Sequence, residues 1–187
     1  MTDPTTCEPV NGLDLPALVA MVEDIRADPA KATAAFRVTT RWTGQTSSET
    51  IAGSCEIGGS QVDRSFTILA DEPRALMGHD SAPNPQELLM AALNACLVVG
   101  YVANAAVIGI DLTEVEIETW GDLDLRGYLG LDDAVAPGYR ELDYVVRIAG
   151  AGKAEQFESI HELVKRTSPN FFNLNQPIRL NGRLEIG

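Results

Sequence analysis

The feature that most constrains this chain is an uncharged stretch, Leu88 through Ile110, introduced by Asn84-Pro85-Gln86-Glu87 and carrying Cys96 near its middle. Asparagine ahead of a proline is a good helix start: the amide oxygen caps free N–H groups, and proline sacrifices no hydrogen bond in the first turn. Gly109 and Asp111 supply the stop. By length alone such a helix could cross a bilayer. Asn94 and Asn104 interrupt the run, alanines dilute it, and neither end carries Lys or Arg. It therefore reads as a buried core helix, with no membrane partner. In a chain this small, a helix apolar on every side calls for a partner subunit to cover it.

The 187 residues suit one domain with an added arm, divided here as an arm over residues 1–34 and a domain over residues 35–187. A net charge of −13 argues against nucleic acid and anionic lipid as partners. Cys7, Cys55 and Cys96 are too few and too irregular for a disulfide framework or a zinc site. No cofactor or metal is expected. The odd cysteine count, with a polar start from Met1 to Val10, points to a reducing, cytoplasmic setting.

In chain order, the pattern predicts an amphipathic helix from Asp14 to Asp28-Pro29, with Leu18, Met21, Val22 and Ile25 on one face. Phe36, Val38, Thr40 and Trp42 then alternate with Arg37, Thr39 and Arg41 as a strand. Ile51, Gly53, Cys55 and Ile57 read as one pairing strand with Cys55 packed inside, and Ser65–Ala70 as a third. Residues 71–83 form a loop holding His79, either a plain loop histidine or a base near the central helix.

After that helix, Val115, Ile117 and Thr119 alternate with Glu114, Glu116 and Glu118, an acidic outer face read as solvated. A ragged strand is expected around Leu123 and Leu125, and a clear one through Leu142, Tyr144, Val146 and Ile148. Lys153 to Arg166 reads as a second helix with Ala154, Phe157, Ile160, His161 and Val164 inward, stopped by Ser168-Pro169. Ile178, Leu180, Gly182, Leu184 and Ile186 keep one parity, predicting a closing strand with a bulge. The whole is an α+β plan.

Cys96 is the residue with chemical promise. At about 100° per residue, Gln86 lies about 80° around the helix from Cys96, while Glu87 lies on the opposite face. Leu89, Ala92, Val99 and Ala103 share the side of Cys96 and would give a pocket apolar walls. A cysteine on an apolar helix is otherwise an inert filler.

Asn84-Pro85-Gln86-Glu87-Leu88 followed by an Ala-rich helix with Ala95-Cys96 resembles the OsmC/Ohr family of osmotically inducible and organic-hydroperoxide-resistance proteins. The resemblance covers roughly residues 35–187, including Trp42-Thr43-Gly44 and Ser168-Pro169. It implies an intertwined homodimer in which antiparallel sheets enclose long central helices and the active sites lie at the subunit interface. It also implies an attacking cysteine on the central helix, a resolving cysteine ahead of the later Pro, and an activating Glu and Arg. Cys96 matches the attacking cysteine. Ser168 stands where the resolving cysteine belongs, Gln86 where the Glu belongs, and Gln45–Ser48 holds no Arg. Arg41 comes three residues too early. Asn170, Phe171 and Phe172 would line the same pocket.

The expectation is a thiol protein acting on organic hydroperoxides through Cys96 with an external thiol reductant. The alternatives are a non-peroxidase member binding a small apolar ligand in the interface cavity, and a purely structural dimer module. Cys7 could reach Cys96 as a resolving thiol or be a plain tail residue.

Overall fold

The computed structural model describes residues 9–187. The readings of Cys7 fall outside the described residues. The chain forms two compact units, the first ending at Ala91 and the second spanning Ala92–Gly187.

The first unit begins with α1 (Leu15–Ala27), where the Asp14 carboxylate accepts the Ala17 N–H at 2.9 Å and Pro16 sits in the first turn. Leu18, Val22 and Ile25 are half-buried and Met21 is exposed, so the amphipathic face is only lightly covered. Asp28 ends α1 and caps a short 3-10 turn, Pro29–Ala32.

Six strands follow: β1 (Ala34–Ala35), β2 (Val38–Gly44), β3 (Ser47–Ala52), β4 (Cys55–Ile57), β5 (Ser60–Val62) and β6 (Phe66–Ala70). β2, β3 and β6 make one antiparallel sheet, β1, β4 and β5 another. The expected single strand from Ile51 to Ile57 is therefore two strands in different sheets. Gly53-Ser54 breaks the ladder while preserving the apolar parity, which is why alternation alone ran straight through it. Cys55 is buried, as its parity suggested.

Helix α2 runs Pro85–Val107, and the chain leaves it through Gly109 at φ 72°, a left-handed stop that suits glycine. Of its five buried residues, all in the second unit, Leu93, Leu97, Tyr101 and Ala105 recur every fourth position as one stripe, and Ala106 lies beside its end. Other faces of the helix are only partly covered by the described residues: Cys96 and Val102 are half-buried, and Val99 is 68 % exposed.

In the second unit β7 (Leu112–Trp120) pairs antiparallel with β8 (Asp143–Gly150), matching Val115 to Ile148, Ile117 to Val146 and Glu116 to Arg147. The alternation read from sequence is thus the face packed on α2. Between them, the expected ragged strand is a one-turn helix, α3 (Leu125–Tyr128). The Asp124 carboxylate accepts the Arg126 N–H and chelates its guanidinium, a local capping that outweighs strand formation.

α4 (Ala154–Thr167) brings Ile160 and Val164 to the core, and α5 (Pro169–Asn175) follows directly. Burying each leucine-sized side chain there contributes about 2 kcal/mol. Gly100 lets α4 lie close: a Cβ at that position would stand 3.1 Å from Val164 Cγ1.

The predicted closing strand is absent. Residues 177–187 have no strand partner among the described residues, and Leu180 is 89 % exposed, with Leu184 and Ile186 similarly bare. A strand requires a hydrogen-bonded neighbour, and alternation specifies a face, not the edge that pairs with it.

Candidate functional site

Cys96 lies half-buried on α2, one residue from the buried Leu97. Its Sγ is 3.3 Å from Ser168 Oγ. Ser168 is the junction between two helices: its N–H donates to Val164 O at 2.8 Å to end α4, and its hydroxyl oxygen accepts the Phe171 N–H at 3.3 Å to begin α5. Pro169 in the first turn of α5 keeps α4 from continuing. With 5 % exposure, Ser168 is shielded from water that would compete for these bonds.

Asn170 ties the start of α5 to α2 by donating its amide to Ala92 O at 2.8 Å, one helical turn before Cys96. Phe171 packs on the core and meets Tyr144 edge-on, with ring centroids 6.4 Å apart. Ala92 and Val99, expected beside Cys96, are exposed, and Ala103 is half-buried. Cys96 thus sits between a sealed oxygen partner and an open apolar flank.

Sequence reading missed a second polar pair in this unit. Tyr101 Oη is 2.5 Å from His161 Nδ1, and the His161 ring also stands near Tyr144. Burial holds the Tyr101 hydroxyl well above the usual tyrosine range, with the Tyr144 and Glu162 charges adding to it. A Tyr and a His sixty positions apart leave no spacing signal in the chain. Asn94, an interruption in the apolar run, donates to Ile117 O at 3.1 Å and accepts from Thr119 Oγ1 at 2.6 Å, clamping α2 to β7.

In the first unit, the other two candidates sit near the loop at Asp71. His79 is exposed, and its N–H donates to Asp71 Oδ2 at 3.1 Å. Gln86 is half-buried in the first turn of α2, where its N–H donates to Asn84 Oδ1 at 2.7 Å. Glu87 returns the favour, accepting the Asn84 N–H at 2.7 Å as a capping box. This explains its position away from Cys96's side: it serves the helix start. Arg41 lies on β2 beside Arg37 and lines a groove of about 360 Å³ with Thr39, Glu49 and Ile51.

Asp71 itself went unnoticed in the sequence. It is 1 % exposed and accepts Thr46 Oγ1 at 2.7 Å, Ser81 Oγ at 2.7 Å, and the N–H groups of Glu72, His79 and Ser81. The Thr46 and Ser81 hydroxyls hold its carboxyl far below the usual carboxylate range. Glu72 in turn accepts the Asn84 amide at 2.6 Å, so the loop is wired to the cap of α2. Gly78 is required here, since a Cβ would collide with Glu72 O.

The second unit is thus an α+β arrangement with a long apolar helix and a half-buried thiol on it. The family profile described as OsmC-like protein matches residues 78–181, more than half of the chain. The chain belongs to the OsmC-like family.

Its fold is similar to that of the OsmC-like protein from Mycoplasma pneumoniae, at 14 % identity over 76 % of this chain and 88 % of that one, TM-score 0.57. It is also similar to a putative osmotic stress induced and detoxification response protein from Psychrobacter arcticus, at 15 % identity over 72 % and 84 %, TM-score 0.55. A third likeness is to an OsmC-like protein of unknown function from Vibrio cholerae, at 15 % identity over 73 % and 90 %, TM-score 0.50. At such identities the likeness is one of fold. Comparison with curated proteins gave no match.

Proposed function

We propose that this OsmC-like protein acts on organic hydroperoxides through Cys96, as a cytoplasmic homodimer restored by an external thiol. The observation that carries the reading is the half-buried Cys96 thiol beside the Ser168 hydroxyl, 3.3 Å away, on an apolar helix. Membership of the family supports it, as does a fold shared with a Psychrobacter protein described as a detoxification response protein.

The Cys96 thiolate attacks one oxygen of the hydroperoxide. The O–O bond breaks, the other oxygen leaves and takes a proton as the alcohol, and the sulfur is oxidised by two electrons to the sulfenic acid. Ser168 cannot close a disulfide. An external thiol therefore condenses with the sulfenic acid, releasing water and leaving a mixed disulfide. A second thiol then attacks that disulfide, regenerating Cys96.

The homodimer reading is supported by the uncovered apolar side chains of the second unit, Val99 on α2 and the alternating Leu180, Leu184 and Ile186. A second copy of the chain would supply both the cover and the missing strand neighbour. One observation favours a second reading, a family member that binds a small apolar ligand without turnover: position 168 offers no resolving thiol and position 86 no carboxylate.

The two are separated by treating the protein with a slight excess of cumene hydroperoxide and a sulfenic-acid trap, then reading the Cys96 peptide by mass spectrometry. A trapped Cys96 adduct is the expected result. An unmodified Cys96, while added free thiols oxidise, sinks the peroxidase reading.

A further inference from the structure

We propose that Ser168 is a positioning residue whose hydroxyl, held in place by the cap of α5, donates to the Cys96 sulfur when that sulfur reacts as a thiolate. This rests on Cys96 being the reacting group and adds the residue that controls it.

A serine hydroxyl has one proton to give and lone pairs to receive. Ser168 Oγ accepts the Phe171 N–H, which occupies one of its two lone pairs and leaves the O–H free to turn away from α5. The neighbour in reach of that proton is Cys96 Sγ, at 3.3 Å. When Cys96 is a neutral thiol, either atom can donate. Once it is a thiolate, only the serine can, and a hydrogen bond to a charged acceptor is stronger than one between neutral groups. The interaction is thus strongest with the form of the sulfur that attacks. Near-complete burial of Ser168 keeps water from replacing it.

The oxygen is also held in place from three directions. The Ser168 N–H is tied to Val164 O, the Ser168 carbonyl accepts the Phe172 N–H at 3.0 Å, and Asn170 binds Ala92 O on the turn before Cys96. A hydroxyl that served only as a cap for α5 would not need to lie against the sulfur. The same position therefore performs two functions, and they can be separated by substitution.

The test is the pH profile of iodoacetamide alkylation at Cys96, read peptide by peptide on the full chain, with no hydroperoxide present. Ser168→Ala removes cap and donor together. Ser168→Asp keeps an oxygen to cap α5, but an ionised carboxylate has no proton to give and repels a thiolate. Ser168→Thr keeps both functions. Expected is slower alkylation in Ser168→Ala, with the rate at pH 7 lowered about tenfold to a hundredfold, the worth of one hydrogen bond to a charged group. Ser168→Asp falls further although its α5 remains capped, and Ser168→Thr returns towards the parent profile.

Superimposable profiles for parent, Ala and Asp variants overturn the proposal. Should the Ala variant fail to fold, Ser168→Gly, an uncharged N-cap with no hydroxyl, takes its place: a rate equal to that of the Thr variant refutes the donor role, and a slower one upholds it. Because the readout is alkylation, it stands whether or not Cys96 reacts with a hydroperoxide, so failure of the peroxidase reading and failure of the Ser168 assignment are told apart.

Discussion

In the second unit Leu93, Leu97, Tyr101, Ile110, Ile160 and Val164 bury one another between two helices and a strand pair. Among its described residues the first unit buries only Cys55 and Asp71, and Val38, Trp42 and Phe66 on its strands, with Phe36 between β1 and β2, are exposed. One unit is held by apolar packing, which is non-directional and indifferent to protonation. The other orders its loop around a carboxylate that five donors bind most strongly while it is charged. The difference teaches where to look for sensitivity: volume changes should injure the second unit, and charge changes the first.

The largest expected effect is that of Leu97→Ala. Leu97 is fully buried, and emptying its site should cost about 3 kcal/mol, read by urea unfolding. The loss should be the same at pH 7 and pH 5. A strong pH dependence would break the contrast.

Asp71→Asn comes next and should behave in the opposite way. The folded-state carboxyl lies below its ordinary value of 3.8, so its stabilisation is complete above that value and is lost as pH falls through the lowered one. The parent should lose stability on acidification below about pH 4, and the Asn variant should show a flatter acid limb. Hydrogen exchange localises the effect: the His79 and Ser81 amides, both donors to Asp71, should exchange faster in the variant at pH 7. Unchanged exchange there would remove Asp71 as the organiser of the loop.

The smallest effect sharpens the comparison within the second unit. Arg147 bonds Glu116 at 2.5 Å and Glu118 at 3.0 Å on the outer face of the strand pair, yet all three are well exposed. Arg147→Ala should cost about 0.5 kcal/mol, and less in high salt. A charge contact on the surface is thus worth a fraction of one buried leucine.

These contrasts also explain what the amino-acid sequence revealed. Asn84-Pro85 marked the start of α2 and Ser168-Pro169 the end of α4, because caps and proline act within a few residues of the chain. β7 and β8 were legible because a sheet covered on one face leaves a period of two in its residues. Gly53-Ser54 deceived the reading because a break that keeps parity leaves that period intact. Residues 177–187 deceived it because parity says nothing of a pairing edge.

Cys96 and Ser168 could be singled out through the family resemblance, which gives each a matching position. Their approach to 3.3 Å could not, since it depends on two helices meeting seventy-two positions apart. Asp71 was invisible for a related reason: three of its five donors are main-chain N–H groups, which every residue but proline possesses.

Gly100 touches neither Cys96 nor Ser168, yet it sets the gauge between them. It lies one turn along α2 from the sulfur, under Val164, one turn along α4 from the hydroxyl. A single methyl group there would lift α4 by a few tenths of an ångström, on the scale that separates a firm hydrogen bond from a slack one. The smallest side chain on the helix is therefore its spacer, and the pair's tuning can be altered from a distance without replacing either member.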